Sequence, residues 1–571
     1  MMLNRHRWVA VSLLWVAPLV FLLLFYFYPL ASILKVSLER SQQGLLSPFL
    51  EALRSPIPGR VLGFTIWQAV LSTLLTLALG LPGAYLFAHY QFRGKSLLQA
   101  LTGIPFLMPT LVVAAAFNAL VGPSGWLNIG LMRLLHLGTP PIHFTNTLAA
   151  ILVAHVFYNT TIVLRMVGDF WSHLDPRLGQ AAHLLGANRW QAIRWVTLPI
   201  LAPAIAAAAM LVFIFDFTSF GVILILGGPH FATLEVEIFY QTVSLFNLPM
   251  AAVLSILQLL CTLVFTITYT RLSKRLTIPL SLKSRRVTQR RLISPRLRVM
   301  AGILIVTLIA LLILPLAALA VRSVSRLAPS GAGQVVTSPG LTLDFYRELS
   351  VNRRESIFYA PPATAIGVSL GYALATTLLA LALGFPAAIA LSRQPGAPLS
   401  RGMDAILMLP LGTSAVTLGL GFIVALDKPP LDLRASWILV PLAHTLVAFP
   451  FVVRNLSLAL RSIRPRLHQA AAVLGASPRS ILRYIDLPLV GRATLGAATF
   501  AFTISLGEFG ATSLIARPEY PTVPIAIYRL ITRPGELNYG QALALSTILM
   551  LIAGAGMLLI DRLRIGEAGE F

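Results

Sequence analysis

The chain has 571 residues, of which 57% are hydrophobic and 11% charged, and its formal net charge is +24. A mean hydropathy of +0.81 excludes a string of soluble domains and fits a polytopic membrane protein. No polar stretch is long enough to fold as a soluble domain of its own.

A bilayer core takes about 20 apolar residues per helix. Twelve stretches qualify. The first six are 9–34, 62–89, 98–121, 146–167, 200–226 and 249–270. The next six are 299–321, 363–391, 403–426, 436–457, 489–515 and 538–561. Arg5 and Arg7 precede the first stretch, as in a signal peptide. That stretch is too long for the apolar core of a signal peptide, and no convincing small-residue cleavage site comes after it, so it reads as a retained helix. The single cysteine, Cys261, lies in an apolar run and can form no internal disulfide.

Lys and Arg set the orientation, because they accumulate in cytosolic segments. Segment 271–298 carries ten Lys and Arg and no acid. It reads as a basic cytosolic linker beside anionic lipid rather than as a nucleic-acid site. The expected organisation is a half over 1–270, the linker 271–298 and a half over 299–571. Each half has six helices in parallel topology, and both termini are cytosolic. The fold class is all-α, in the cell membrane of a prokaryote.

One motif occurs twice. Gln180 to Pro199 reads QAAHLLGANRWQAIRWVTLP, and Gln469 to Pro488 reads QAAAVLGASPRSILRYIDLP. The two keep one register from about His155/His444 to Phe239/Tyr528, which marks two copies of one unit. Asp175-Pro176 and Arg464-Pro465 can open a short helix, since Pro suits the first turn. Gly186 and Gly475 break it, and Asn188 and Ser477 are suited to cap the next. Leu198-Pro199 and Leu487-Pro488 mark the return into the membrane. The result is an elbow with a small-residue face, which could seat in a groove on another protein or merely fold back on the membrane.

The spacing E-A-A-x3-G-x9-I-x-L-P identifies the membrane subunits of type I ATP-binding-cassette importers, and this chain resembles that family in both halves. It differs by Gln180 and Gln469 where Glu is usual and by Val196 where Ile is usual. The lost charges bear on ion pairs, while the elbow shape is kept. Phe217 to Gln241 and Ile504 to Tyr528 look closest to fused permeases of ferric-iron and thiamine uptake. Ser505 to Gly510 also resembles permeases for molybdate or sulfate. The resemblance implies loops that contact separate ATPase subunits through Gln180, Ala181, Ala182, Gly186, Leu198 and Pro199, and through Gln469, Ala470, Ala471, Gly475, Leu487 and Pro488. It implies two cytosolic ATPase copies, an extracytoplasmic binding protein and lipid as partners.

No catalytic constellation, metal motif or cofactor motif is found, so no cofactor is expected. Gly94-Lys95-Ser96 lacks the first glycine of a P-loop, with His89 in its place, and reads as a basic turn. His155 and His444 suit interhelical hydrogen bonding better than metal ligation. Asp216 and Glu508 lie inside apolar stretches, where a carboxylate costs about 2.5–3.5 kcal/mol and normally faces a cavity or a partner. The repeat register pairs Asp216 with Ser505 and Ser219 with Glu508, so each half places a Ser and an acid on one expected helix face. These four either line a passage for a cation, form a gate, or tie neighbouring helices together. The main rival from another class is an ion-coupled secondary transporter.

Overall fold

The computed structural model describes residues 14–39, 54–228, 230–274, 289–292, 294–329, 335–351, 361–393, 398–427, 429 and 431–565. Arg5, Arg7 and most of the basic linker (275–288 and 293) lie outside the described residues. The architecture is all-α and membrane-spanning. Eleven described helices are long and apolar enough to cross a bilayer, or twelve if the bent pair Ser400–Gly412 and Ala415–Ala425 is one span.

In chain order the first group is α1 (Leu14–Val36), α2 (Pro56–His89), α3 (Thr110–Val121), α4 (Leu148–Ser172) and the short α5 (Pro176–Leu184). It continues with α6 (Leu198–Phe217), α7 (Gly221–Leu226), α8 (Leu234–Phe239) and α9 (Leu248–Lys274). The second group is α10 (Pro295–Leu312), α11 (Leu314–Ser323), α12 (Thr364–Arg393), α13 (Pro398–Met408), α14 (Ala415–Ala425) and α15 (Leu439–Ser462). It ends with the short α16 (Pro465–Val473), α17 (Leu487–Gly507), α18 (Gly510–Ile515), α19 (Val523–Ile531) and α20 (Glu536–Ile565). Among the described residues, strands are confined to two small ladders. Tyr90–Gln91 pairs in parallel with Arg290–Arg291, and Ser325–Pro329 pairs antiparallel with Val335–Leu341.

Four expected spans are broken. The stretch 98–121 has a short helix, Lys95–Leu101, then a 3-10 turn at Ile104–Leu107 before α3 begins. Its counterpart 403–426 turns by 95° between α13 and α14. Pro105, Pro109 and Pro410 remove backbone donors at these points, and Ser414 Oγ accepts the Val416 and Thr417 N–H groups to start α14 afresh. The stretches 200–226 and 489–515 break after Phe217 and Gly507. The expected shared helix face is therefore corrected. Asp216 and Ser505 end a helix, while Ser219 and Glu508 lie beyond it, with Glu508 in extended conformation at ψ 125°.

Packing forms two compact units that cut across the sequence halves. One comprises 1–52, 238–256 and 343–571. In it α1 packs on α14, with the Tyr26 hydroxyl bonded to Thr413 Oγ1 at 2.7 Å. The other comprises 53–237 and 257–342. In it α11 packs on α3, and the fully buried Arg322 donates to the Ser124 carbonyl. The first span of each sequence half thus completes the unit built from the other half. Each unit also has a close crossing of repeat-equivalent helices, α2 with α4 and α12 with α15. A Cβ at Gly80 would stand 2.7 Å from Val163, and one at Gly384 would stand 2.8 Å from Val452. Small residues of this kind let membrane helices approach within van der Waals contact.

Candidate coupling elbows and helix-break clusters

The elbows form where the sequence places them. Asp175 Oδ1 accepts the Arg177 N–H at 3.0 Å and starts α5. Gly186 and Gly475 then turn with φ of +87° and +78°, a region that L side chains enter only at a cost. Asn188 and Gln191 exchange two 2.8 Å hydrogen bonds, each side chain accepting the other's N–H. This is a reciprocal cap of the next helical turn. Ser477 Oγ accepts the Ser480 N–H in the second copy.

Both elbows re-enter the membrane through one π-helical turn, Ile193–Thr197 and Leu482–Asp486. Each turn leads into Leu-Pro. Pro199 and Pro488 have no N–H and would press on the carbonyl four residues back, so the turn widens to accommodate them. Gln180, Ala181, Gly186, Leu198 and Pro199 are exposed, while Ala182 is buried. Gln469, Ala470, Gly475, Leu487 and Pro488 are exposed and Ala471 is half-buried. Sequence reasoning missed the boldest feature. Leu184 and Leu185 are each 89% exposed, and Val473 and Leu474 are 88% and 87% exposed, at matching positions. The second elbow has an internal clasp, His468 Nε2 at 2.6 Å from Asp486 Oδ1. The matching residues in the first are Gly179 and Thr197. Arg93 and Gly94 form a turn and Lys95 opens the next helix, its Nζ donating to the Phe87 and Tyr90 carbonyls at 2.6 and 2.8 Å.

At the breaks after Phe217 and Gly507 a histidine organises the polar groups. His155 on α4 stands with Nδ1 3.0 Å from Ser72 Oγ of α2 and 3.3 Å from Asp216 Oδ1 of α6. Its Nε2 is 2.9 Å from Ser219 Oγ. Asn159 donates to Asp216 Oδ1 at 2.7 Å, and Gln68 donates to the Asp216 carbonyl at 2.9 Å. His444 on α15 stands with Nδ1 2.7 Å from Ser505 Oγ. Its Nε2 is 3.1 Å from Glu508 Oε2 and 2.7 Å from Thr512 Oγ1. Ser505 also bonds Thr376 of α12 at 3.2 Å.

Asp216 is fully buried, Ser505 and Glu508 are buried, and Ser219 is half-buried. The carboxylate of Glu508 accepts the Ala511 and Thr512 N–H groups at 2.8 and 3.1 Å. It therefore caps α18, where the helix dipole favours a negative group. The recurrence of His155 and His444 signalled this arrangement. Their Ser and Thr partners carried no signal, because such residues are common in membrane helices. What the clusters do chemically is satisfy the backbone and side-chain groups released where each span breaks.

Residues 77–278 match the family described as binding-protein-dependent transport system inner membrane component. The chain is 29% identical over 507 residues to the thiamine transport system permease protein ThiP of Brucella abortus (strain 2308), covering 88% of this chain and 87% of that protein. It is 28% identical over 507 residues to the protein of that name in Escherichia coli (strain K12), covering 88% of each. It is also 30% identical over 281 residues to the putative 2-aminoethylphosphonate transport system permease protein PhnV of Salmonella typhimurium, covering 48% of this chain and 98% of that protein. A relative the length of one half and relatives the length of the whole chain thus carry the same likeness. With its membrane helices and its twice-occurring elbow, the chain belongs to the inner-membrane components of binding-protein-dependent transport systems, as a fused permease of an ATP-binding-cassette importer.

Proposed function

We propose that this chain forms the membrane path of an importer for thiamine or a closely similar organic cation. Two cytosolic ATPase subunits dock on its elbows, and an extracytoplasmic binding protein delivers the cargo. ATP hydrolysis then belongs to the partner chains, and both termini of this chain lie in the cytosol with the elbows. The observation that carries the docking is the repeated exposed apolar pair, Leu184-Leu185 and Val473-Leu474. Large apolar side chains left in water at matching positions of two copies mark a partner surface. One surface per copy accounts for two ATPases. An ion-coupled transporter would have no use for these elbows.

The thiamine reading is supported by the likeness over 88% of the chain to permeases named for thiamine transport. The alternative of ferric iron has no such support from these relatives. Asp216, Ser219, Ser505 and Glu508 are read as fastenings of the helix breaks beside the path, because the burial of Asp216, Ser505 and Glu508 and the contacts of all four with His155 or His444 support a tie over an open lining. Purification of the chain from its own membrane, and uptake of labelled thiamine by inverted and right-side-out vesicles, test the proposal. A co-purifying ATPase and ATP-dependent thiamine uptake are expected. Uptake driven by an ion gradient without ATP overturns the class, and a binding protein loaded with another ligand overturns the substrate.

A further inference from the structure

The two long helices α2 and α12 are repeat counterparts, and two hydrogen bonds fix their register. Thr65 Oγ1 accepts the Leu234 N–H at 3.0 Å, and Ser369 Oγ accepts the Val523 N–H at 2.8 Å. Leu234 and Val523 occupy the same place in the repeated signature region, so Thr65 and Ser369 are equivalent. Two residues further on, Trp67 in the first copy is matched by Gly371 in the second. By the same register Phe64 is matched by Val368, Leu71 by Ala375 and Phe231 by Tyr520.

These exchanges empty one site. In the first copy Phe64 stands between Trp67 and Phe231, with ring centroids 6.2 and 5.8 Å away, so the chain's own rings occupy the matching place. In the second copy a Cβ at Gly371 would meet nothing within 4 Å. A groove of about 450 Å³ remains, lined by Val368, Gly371, Leu374, Leu378, Trp437 and Tyr520 among others. Leu374, Leu378 and Trp437 are each more than half exposed. The groove lies on Thr364–Arg393, a helix long and apolar enough to cross the membrane.

One end of the groove is polar. Trp437 and Tyr520 are of the kind that sits at head-group level. Tyr372 and Tyr520 both line the groove, and Arg517 stands three residues before Tyr520. Arg517 is 3.3 Å from Glu519 Oε2 and donates to the Ala435 carbonyl. A paired guanidinium and carboxylate offers a partner to each half of a zwitterionic head group. The other end, Leu374 and Leu378, is apolar. A helix with its side chains is about 10–12 Å across, so this volume admits about one turn of one, whereas a slender hydrocarbon tail fits. We infer that the groove is a binding site for one zwitterionic phospholipid, its tail lying over Gly371 and its head group held at Trp437, Tyr520 and Arg517.

The test is photo-crosslinking of the full chain in nanodiscs of phosphatidylethanolamine and phosphatidylglycerol, doped with a phosphatidylethanolamine that carries a diazirine on one tail. Crosslinks are expected to concentrate on 368–378 of α12, at least fivefold above those on 64–74 of α2. Gly371→Trp should lower them at least fivefold while crosslinks elsewhere stay unchanged. Should that variant fold poorly, Ala375→Leu, which restores the first copy's residue, should lower them in the same sense. Trp67→Gly should raise them on α2. Equal labelling of α2 and α12, or labelling of 368–378 unaffected by a folded groove-filling variant, overturns the inference. So does a disulfide-linked dimer formed efficiently through Leu374→Cys in a Cys261→Ser background, which would give the face to a second copy.

Discussion

His155 and His444 occupy the same repeat position but turn opposite ring nitrogens to their carboxylates. Nδ1 of His155 is 3.3 Å from Asp216, and Nε2 of His444 is 3.1 Å from Glu508. In both copies Nδ1 faces the last turn of the first helix segment and Nε2 faces the residue past the break. The acid has changed sides while the histidine has stayed. The arrangement requires one acid and one hydroxyl per break, with either order allowed.

The two acids should therefore respond differently to mutation. Glu508 caps α18 through two N–H groups, so Glu508→Ala should lower stability by about 1–3 kcal/mol, with folded yield and uptake falling together. Asp216 has an Oδ2 with no hydrogen-bond partner, so Asp216→Asn should keep both its folded yield and most of its uptake. Thermal unfolding and vesicle uptake are compared side by side. Uptake lost at full folded yield in either variant would place that carboxylate in the path.

Backbone conformation alone makes the elbow glycines necessary. A Cβ at Gly186 or Gly475 would meet nothing within 4 Å, yet both have positive φ. Gly186→Val and Gly475→Val should each strain the elbow by about 1–2 kcal/mol or more. Insertion should persist, while ATPase co-purification and uptake fall. Gly186→Asn, which tolerates the left-handed region, should be mild. Wild-type uptake and ATPase recovery in both valine variants would refute the elbow reading.

The exposed apolar pairs should matter for assembly and not for folding. Leu184→Ser with Leu185→Ser, or Val473→Ser with Leu474→Ser, removes side chains that touch little else in this chain. The melting temperature should stay the same while ATPase affinity drops about tenfold or more, the size of effect expected when apolar anchors of an interface are lost. Unchanged affinity in both double variants would move the docking surface elsewhere.

The clasp between His468 and Asp486 ties the second elbow to its π-helical turn. His468→Ala should speed amide exchange in Pro465–Val473 and leave Pro176–Leu184 unchanged. The stability change should stay below about 1 kcal/mol, since the histidine is 40% exposed. Unchanged exchange in Pro465–Val473 would remove the clasp from the elbow's local stability.

Orientation is open to cysteine labelling in a Cys261→Ser background. His183 and Ala472 should label from inside, and Leu245, Leu343 and Glu519 from outside, all five being exposed. Glu235 and Phe345 lie in segments expected to be external but are buried, so they would label poorly. Position 285 lies outside the described residues. External reaction at His183 in intact cells would invert the topology.

Much of this protein is local in origin and hence legible in its residues. Apolar length fixes the spans, because a bilayer imposes its thickness on any helix that crosses it. The elbows are equally local. Pro opens α5 and α16, Gly186 and Gly475 supply the positive φ, and Asn188 and Ser477 cap the second turn of each elbow. Hydropathy could not see the breaks at Thr218–Phe220 and Glu508–Phe509, since it weighs apolar surface and ignores where the freed N–H groups find acceptors. The partners that permit those breaks, Ser72, Asn159, Thr376 and Thr512, stand on other helices or on the far side of the break.

The sequence by itself determined that this is a duplicated α-helical membrane permease with one elbow in each copy, because span length, turn chemistry and repeat register are properties of contiguous residues. Only the tertiary structure decided that α1 completes the unit of the second half and α11 that of the first. Only it revealed that His155 and His444 fasten the broken spans, and that Gly371 stands where Trp67 stands in the other copy. Those are matters of which helices meet. In a membrane, close packing and hydrogen-bond satisfaction choose such partners among helices that are all equally apolar.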